Sequence, residues 1–200
     1  MSTSLFETKR MVTLGILSAL GAILMLIEIP YPFVPFLTFD LSDIVVLVVF
    51  MIYGFKEASL VAILKALVHL LVKGPIGPMG IGQITAVIAS MSYVIGMFST
   101  LKVYKINRYF SAGITVLFVT VVLVIANYLF ITPIWFGQLT FLDVRDWVTL
   151  EAFGLEGTSG YLGTIIAVYL PFNLIKGLLI SLGFISIYEI LRKTEFITKK

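Results

Sequence analysis

Long apolar stretches alternate with short polar or proline- and glycine-containing segments along most of the chain. Hydropathy predicts six membrane-spanning helices, over approximately residues 11–29, 41–53, 58–72, 83–101, 110–135 and 163–191. The second and third stretches are short, whereas the others have the length that a bilayer crossing requires. We therefore predict an all-α integral membrane protein, a compact bundle of six transmembrane helices in which residues 1–200 form a single transmembrane domain.

Composition supports this class of protein. Hydrophobic residues make up 60% of the chain and charged residues only 12%, about half of the roughly 25% that is typical of soluble domains. The chain contains no cysteine and a single histidine, which excludes a disulfide scaffold, a thiolate nucleophile and a cysteine-based metal site. We expect no metal site. We expect membrane lipid to surround the protein and expect no nucleic-acid partner.

Basic residues are distributed unevenly between the two sets of connecting segments. Ten of the 14 fall on the side that holds both termini, namely Lys9, Arg10, Lys56, Lys102, Lys105, Arg108, Arg192, Lys193, Lys199 and Lys200. Lys73 and Arg145 fall on the opposite side, and Lys65 and Lys176 lie within predicted spans. Because positively charged connections stay in the cytoplasm, we predict that both termini are cytoplasmic. A cleaved signal peptide is not expected, since no small-residue cleavage site follows the first apolar run.

The last predicted span carries an amide and an ammonium group in apolar surroundings. Asn173 and Lys176 are three positions apart, which places both side chains on one face of a helix. A charged group in hydrocarbon is costly, so an intramembrane lysine normally faces a bundle interior or a polar cavity and marks a functional site. We expect both side chains to converge on one ligand. Removing the Lys176 charge should not destabilise the ligand-free protein, because it relieves a desolvation cost.

Two connections on the predicted outer side have unusual compositions. Residues 30–40 contain three prolines with aromatic residues between them, which disfavours helix and favours an extended lid or wall. An interfacial aromatic belt is the alternative for the aromatic residues. Residues 73–82 contain four glycines and two prolines, so this backbone can approach a ligand closely, although a simple tight connection is the alternative. The long connection over 136–162 is of a length that is usually functional or mobile.

Several catalytic motifs are absent from the sequence. It contains no phosphate-binding loop, no His-Glu-x-x-His motif and no serine nucleophile elbow. We also find no inverted repeat of the kind that secondary transporters carry. An intramembrane enzyme that uses Lys65, His69 and acidic loop residues is the least favoured alternative, and we predict no catalytic residues. A chain this small that binds a polar ligand is expected to capture it and to leave energy transduction to a partner.

Three segments together resemble the substrate-binding S component of energy-coupling factor (ECF) transporters. They are residues 36–44 (FLTFDLSDI), the glycine- and proline-rich connection over 73–82, and residues 171–177 (PFNLIKG). The resemblance covers essentially the whole chain and is greatest to the riboflavin-specific members. It implies a multi-pass subunit of the bacterial cell membrane that captures extracellular riboflavin and works with a transmembrane coupling subunit and two cytoplasmic ATPases. Riboflavin is then the transported ligand, with no cofactor on this chain. Capture of another vitamin or heterocycle is the alternative.

The resemblance also implies roles for individual residues in ligand binding. Asn127, Asn173 and Lys176 match the polar contacts to the carbonyl and imide edge of the isoalloxazine ring. Asp40 is implied as an acceptor for ribityl hydroxyls, and the pocket walls are implied to include Phe39, Leu41, Met79 and Gly80. For Asn127 the alternative is an interhelical hydrogen bond without a ligand, which is a common use of asparagine in membrane bundles.

The first predicted span carries small residues at Gly15, Ser18, Ala19 and Ala22. A face of small residues allows another helix to approach closely. The resemblance implies that this helix docks on the coupling subunit, with Ser18 and Ala22 as the nearest match to the contact motif. Packing within the chain itself is the alternative.

Overall fold

The computed structural model describes residues 2–157 and 159–193. In this part of the chain, six helices of 12 to 33 residues occupy the six predicted apolar stretches, and one short helix extends the fifth. Their bounds are α1 Ser2–Leu26, α2 Ser42–Tyr53, α3 Phe55–Lys73, α4 Ile81–Phe98, α5 Arg108–Ala126, the short α6 Thr132–Trp135, and α7 Tyr161–Lys193. The predicted helical bundle is therefore confirmed.

Not every helix is long and apolar enough to cross a membrane. Within the described residues, four helical segments meet both conditions, namely 7–26, 78–103, 108–135 and 161–193. Helix α2 has only 12 residues, about 18 Å at the rise of an α-helix. It lies inside the bundle, where Val46 and Val49 are fully buried. A helix that is apolar all round is typically surrounded by other helices, which explains why α2 carries almost no polar residues after its first turn.

A β-hairpin lies between α1 and α2, in a fold otherwise predicted to be all helical. Strand β1 spans Ile29–Tyr31 and pairs in antiparallel register with strand β2, Val34–Phe39. This agrees with the extended backbone that the prolines favour. Tyr31 and Val34 are buried against the aromatic cluster of α7, so the hairpin is held as a fixed wall on that helix.

Helix α5 changes its hydrogen-bonding pattern before it ends. Asn127–Ile131 forms a wider, π-type turn, in which the Thr132 N–H donates to the carbonyl of Asn127. Pro133 follows this turn and has no N–H to continue the helical pattern. Turns of this type are frequent at functional sites because they displace the side chains around them. Asn127 is the first residue of this turn.

The long connection between α6 and α7 is folded against the bundle. Val144, Val148 and Phe153 are buried and pack in one cluster with Tyr161 and Tyr169 of α7. The described part of residues 136–160 therefore forms a cap over one end of the helices. Trp147 belongs to this cap, where its Nε1 donates to the carbonyl of Asp143 at 2.8 Å.

Ion pairs lie at both ends of the bundle. Arg10 pairs with Glu57, and Arg108 pairs with Glu189, at the end where α1 begins. Lys73 pairs with Glu28 at the opposite end, 2.5 Å apart. Lys199 and Lys200, two of the basic residues that predict cytoplasmic termini, lie outside the described residues. The cytoplasmic location of the termini stays a prediction.

Candidate functional site

A cavity lies between the hairpin, the segment before α4, and helices α4, α5 and α7. The space inside it that is accessible to a water molecule is about 150 Å³. Most of its wall is apolar. The polar side chains in its lining include Glu28, Thr38, Asp40, Thr85, Asn127, Tyr169, Asn173 and Lys176. An apolar cavity with a few convergent polar groups is the usual form of a ligand site.

The four polar residues predicted for ligand binding all line this cavity. Asp40 comes from the link between β2 and α2, Asn127 from the π-type turn, and Asn173 and Lys176 from α7. Asp40 and Lys176 are 136 positions apart in sequence. The hairpin brings the link back to α7, and the wide turn places Asn127 at the same wall. The fold therefore brings together side chains that the sequence predicts to bind one ligand.

Asn173 has an unsatisfied hydrogen-bonding group. Its side chain is only 4% exposed, and within the described residues its Nδ2 has no hydrogen-bond partner. A buried polar group without a partner costs about 1–3 kcal/mol. Because Asn173 lines the cavity, an acceptor on a ligand can remove this cost.

Lys176 and Asp40 form an ion pair at the wall of the cavity. Lys176 Nζ lies 2.6 Å from Asp40 Oδ2, whereas the sequence interpretation treated the two residues as separate ligand contacts. Burial raises the pKa of the Asp40 carboxyl, but the Lys176 and Lys65 ammonium groups outweigh this effect and hold its pKa below the usual range. Asp40 is therefore ionised, and it neutralises the charge of Lys176.

The pairing revises one expectation about Lys176. Removing its charge would leave Asp40 without a partner, and an uncompensated buried charge is destabilising. Loss of the Lys176 charge is therefore expected to lower the stability of the ligand-free protein, contrary to the expectation from sequence. An ammonium group has three N–H donors, so Lys176 retains donors for a ligand while it binds Asp40.

Asn127 is partly engaged within the protein. Its Nδ2 donates to the carbonyl of Leu123 at 2.8 Å. The Thr132 hydroxyl lies 3.5 Å from Asn127 Oδ1 and 3.0 Å from Tyr169 Oη. Because the Thr132 hydroxyl is closer to Tyr169 Oη than to Asn127 Oδ1, its hydrogen bond to Asn127 Oδ1 is weak. Asn127 thus makes the internal hydrogen bond that was considered as an alternative, and it also presents an acceptor at the cavity wall.

Four residues predicted to form pocket walls do not line the cavity. Phe39 stacks on Phe172 with 5.0 Å between ring centroids and supports the wall from behind. Leu41 is exposed, and Met79 is 78% exposed. Met79 and Gly80 border a separate recess between α3 and α4.

Backbone conformation explains the positions of Met79 and Gly80. The chain direction reverses repeatedly in this segment, because positive φ angles occur at Gly74, Gly77, Met79 and Gly80. As a result Ile76 and Gly82 face the cavity, while Met79 points away from it. The backbone at Gly77 lies close to the Trp135 ring, since an added Cβ would lie 2.7 Å from it. The expected approach of this segment to a ligand stays a prediction.

The structure adds residues that the sequence interpretation did not select. Phe36 of β2 and Trp135 of α6 both line the cavity and stack on each other. The sequence of residues 30–40, to which Phe36 belongs, indicated an extended lid or wall. No signal in the sequence indicated Trp135, because its role depends on the turn at the end of α5.

The residues considered for an enzymatic alternative are engaged in internal contacts. Lys65 is fully buried and pairs with Asp43 at 2.7 Å. His69 Nδ1 lies 3.2 Å from Gln83 Nε2, and the same Gln83 nitrogen donates to the carbonyl of Gly74 at 2.8 Å. These contacts tie Gln83 of α4 to α3 and to the residue that follows α3.

The small residues of α1 are divided between two faces. Ser18 and Ala22 are 3% and 2% exposed, and α1 packs chiefly on α3. Gly15 and Ala19 are exposed instead. The alternative of packing within the chain therefore holds for Ser18 and Ala22. The sequence shows which residues are small, but not which of them face the rest of the bundle.

Comparisons with known proteins agree with this fold and site. The sequence matches the family described as "ECF transporter, substrate-specific component" over residues 9–188. It is 28% identical over 191 residues to "Riboflavin transporter RibU" of Staphylococcus aureus (strain TCH60), covering 92% of this chain and 90% of the relative. It is 26% identical over 187 residues to "Riboflavin transporter FmnP" of Bacillus subtilis (strain 168), covering 91% of each chain.

A solved structure is similar in fold. It is described as "Structure and mechanism of the S component of a bacterial ECF transporter", and it superposes with a TM-score of 0.70 at 27% identity, covering 94% of this chain and 98% of the other. The family consists of transporter components and not of enzymes. Together with the four helical segments of spanning length among the described residues, this makes the chain a multi-pass protein of the bacterial plasma membrane. The chain belongs to the substrate-specific S components of ECF transporters.

Proposed function

We propose that this S component captures riboflavin in the cavity between the hairpin and α7. The observation that carries the proposal is the unpaired Nδ2 of Asn173, which lies on the same helical face as Lys176 at a cavity with apolar walls. Two buried donors beside apolar walls suit a flat ligand with carbonyl acceptors along one edge. The relatives named above as riboflavin transporters support this choice of ligand.

The chemistry of riboflavin fits the distribution of groups around the cavity. Its isoalloxazine ring is large and flat, with carbonyl and imide groups along one edge. In the proposed complex Asn173 and Lys176 donate to the carbonyls, and Asn127 Oδ1 accepts from the imide. The ring lies against aromatic and aliphatic side chains of the wall, namely Phe36, Leu123, Trp135 and Phe172. The ribityl hydroxyls lie near Asp40 and Thr38.

The charges around the cavity suit a neutral ligand. Among the described residues in its lining, both carboxylates have a basic partner, since Asp40 pairs with Lys176 and Glu28 pairs with Lys73. Lys176, the cation in that lining, is already neutralised by Asp40. A ligand with a net negative charge would therefore gain no unpaired cation in exchange for its lost hydration.

A titration with the purified protein tests this proposal. The wild-type chain in detergent should bind riboflavin with one-to-one stoichiometry by calorimetry and should quench flavin fluorescence, without ATP. Thiamine and biotin serve as comparison ligands. If riboflavin produced no heat and no change in fluorescence while another vitamin bound, the ligand assignment would be wrong and capture of a different heterocycle would replace it.

We further propose that the exposed small residues of α1 dock on the transmembrane coupling subunit, whose two cytoplasmic ATPases hydrolyse ATP. Gly15 has no atom within 4 Å of an added Cβ, and Ala19 is exposed one helical turn away. Ile16 and Ile23 extend this face with exposed apolar side chains. Small residues between larger apolar ones allow close approach of a partner helix in a membrane. In this arrangement both termini are cytoplasmic.

A further inference from the structure

A chain of buried polar contacts runs from the cavity wall into the helix bundle. Lys176 Nζ contacts Asp40 Oδ2 at 2.6 Å, and Asp40 Oδ1 accepts hydrogen bonds from the N–H and the hydroxyl of Ser42. Lys65 Nζ donates to Ser42 Oγ at 2.6 Å and to Asp43 Oδ1 at 2.7 Å. We refer to these five residues, Lys176, Asp40, Ser42, Lys65 and Asp43, as the buried relay. It connects α7, the hairpin end, α2 and α3.

The direction of the Ser42 hydroxyl is determined by its neighbours. A lysine ammonium has three donors and no acceptor. The Ser42 hydroxyl therefore cannot donate to Lys65, and its single proton is directed to Asp40. Lys65 is fully buried and is held by Asp43, which also accepts a hydrogen bond from Ser90 of α4. Residues inside the bundle therefore determine which group donates and which accepts in the hydrogen bonds of the relay.

The two carboxylate oxygens of Asp40 bind different residues. Oδ1 is held by Ser42, which belongs to the first turn of α2, and Oδ2 is left to bind Lys176. A carboxylate held at one oxygen has a restricted rotation, so the position of its other oxygen is defined. Because Lys176 follows Oδ2, its remaining N–H donors are aimed in a defined direction at the cavity.

We propose that Ser42 is a positioning residue for the ligand site, acting through Asp40 on Lys176, and that Lys65 fixes the direction of its hydroxyl. This inference rests on the proposed function of the cavity. Ser42 and Lys65 do not line the cavity, so neither residue is expected to touch the ligand. Their effect on binding passes through the Asp40–Lys176 pair.

The variant Ser42→Ala removes the hydroxyl and preserves the backbone N–H that also holds Asp40. It should weaken riboflavin binding about three- to tenfold, the effect expected for loss of one hydrogen bond. Ser92→Ala is the matched control, since Ser92 is also buried but its hydroxyl donates to the Ile88 carbonyl within its own helix. The control should bind within about twofold of wild type, because a single local hydrogen bond is lost far from the ligand.

A double-variant cycle separates positioning from general packing. If Ser42 acts through Lys176, then Ser42→Ala should add less than about a twofold effect in a Lys176→Met background, because the residue that it positions is already gone. Equal weakening in both backgrounds would overturn the proposal, and so would wild-type affinity of Ser42→Ala.

A measurement on the ligand-free protein tests the relay without riboflavin. The ¹³C carboxyl resonance of Asp40, assigned by its loss in Asp40→Asn, should shift in Ser42→Ala and stay unchanged in Ser92→Ala. An unchanged Asp40 resonance in Ser42→Ala would overturn the relay. Failure of the wild-type chain to bind riboflavin would instead overturn the proposed function, so the two failures are distinguishable.

Discussion

Phe36 of the hairpin stacks on Trp135 of α6, with 5.4 Å between ring centroids and 22° between ring planes. Both rings line the cavity and are partly exposed, so they form part of its rim. Gly77 lies against the six-membered part of the Trp135 indole, where no side chain would fit. Three segments that are distant in sequence therefore meet at the Trp135 indole. Trp135 connects these segments at the proposed site.

Replacing Trp135 with Leu should weaken riboflavin binding. The variant removes an aromatic wall from the cavity and the stacking contact with Phe36, an interaction worth about 0.5–1.5 kcal/mol, or roughly a two- to twelvefold change in affinity. Trp147→Leu is the control, since Trp147 is the second of two tryptophans and lies in the cap away from the cavity lining. Calorimetric titration of both variants checks this. Equal effects of the two substitutions would contradict a specific role of Trp135.

Replacing Asn173 with Leu should change binding and stability in opposite directions. Riboflavin affinity should fall by about 1–3 kcal/mol, roughly five- to hundredfold, because the ligand carbonyl loses its donor. The ligand-free protein should be more thermostable than wild type, since a buried amide without a partner is removed. Asn127→Leu is the control, because the Asn127 amide is already bonded to Leu123 and its loss should not stabilise. A lower melting temperature for Asn173→Leu would show that its amide is satisfied in the ligand-free protein.

The Asp40–Lys176 pair predicts a separation of stability from binding. Lys176→Met should weaken riboflavin binding and lower the free energy of unfolding by about 3 kcal/mol, because Asp40 is left charged and unpaired. Asp40→Asn combined with Lys176→Met should recover most of the stability and none of the affinity. Thermal unfolding and calorimetry on both variants provide the measurements. Recovery of affinity in the double variant would mean that Lys176 does not contact the ligand.

The exposed and buried faces of α1 predict different consequences for bulky substitutions. Ala19→Leu or Gly15→Leu should reduce association with the coupling subunit and riboflavin uptake, while riboflavin binding and thermal stability stay at wild-type levels, because these positions are exposed. Ala22→Leu should instead destabilise the chain by about 1–3 kcal/mol through overpacking against α3. Pull-down and ligand titration separate the two cases. Normal association of Ala19→Leu would place the docking surface elsewhere.

The paired charges around the cavity predict discrimination against phosphorylated flavin. Flavin mononucleotide carries an additional charge of about −1.5 to −2 at neutral pH. The nearby cations, Lys176 and Lys73, are already paired with the two carboxylates of the lining, Asp40 and Glu28. Its dissociation constant should exceed that of riboflavin by at least about tenfold. Glu28→Gln should reduce this ratio, because it frees Lys73 and removes a negative charge. Equal affinities in the wild type would show that the phosphate lies outside the influence of these groups.

Local patterns were sufficient for several features of the site. The i, i+3 spacing of Asn173 and Lys176 places them on one face of α7 whatever surrounds the helix. The prolines of residues 30–40 favour extended backbone at their own positions, and the hairpin forms there. The direction in which a side chain points from an irregular connection was not accessible in this way. Met79 was expected at the cavity, but the positive φ angles around it turn its side chain to the opposite side.

Hydrophobic length and helical spacing are properties of consecutive residues, so the sequence alone is enough to predict a helical membrane protein. The resemblance to S components is likewise carried by three short segments of the sequence. The folded structure is needed to show that Lys176 pairs with Asp40 and Lys65 with Asp43. It is also needed to show that Ser18 and Ala22 face inward while Gly15 and Ala19 face outward. Buried charges must be neutralised in a low-dielectric interior, but the partner of each charge is selected by the packing of segments that lie far apart in the chain.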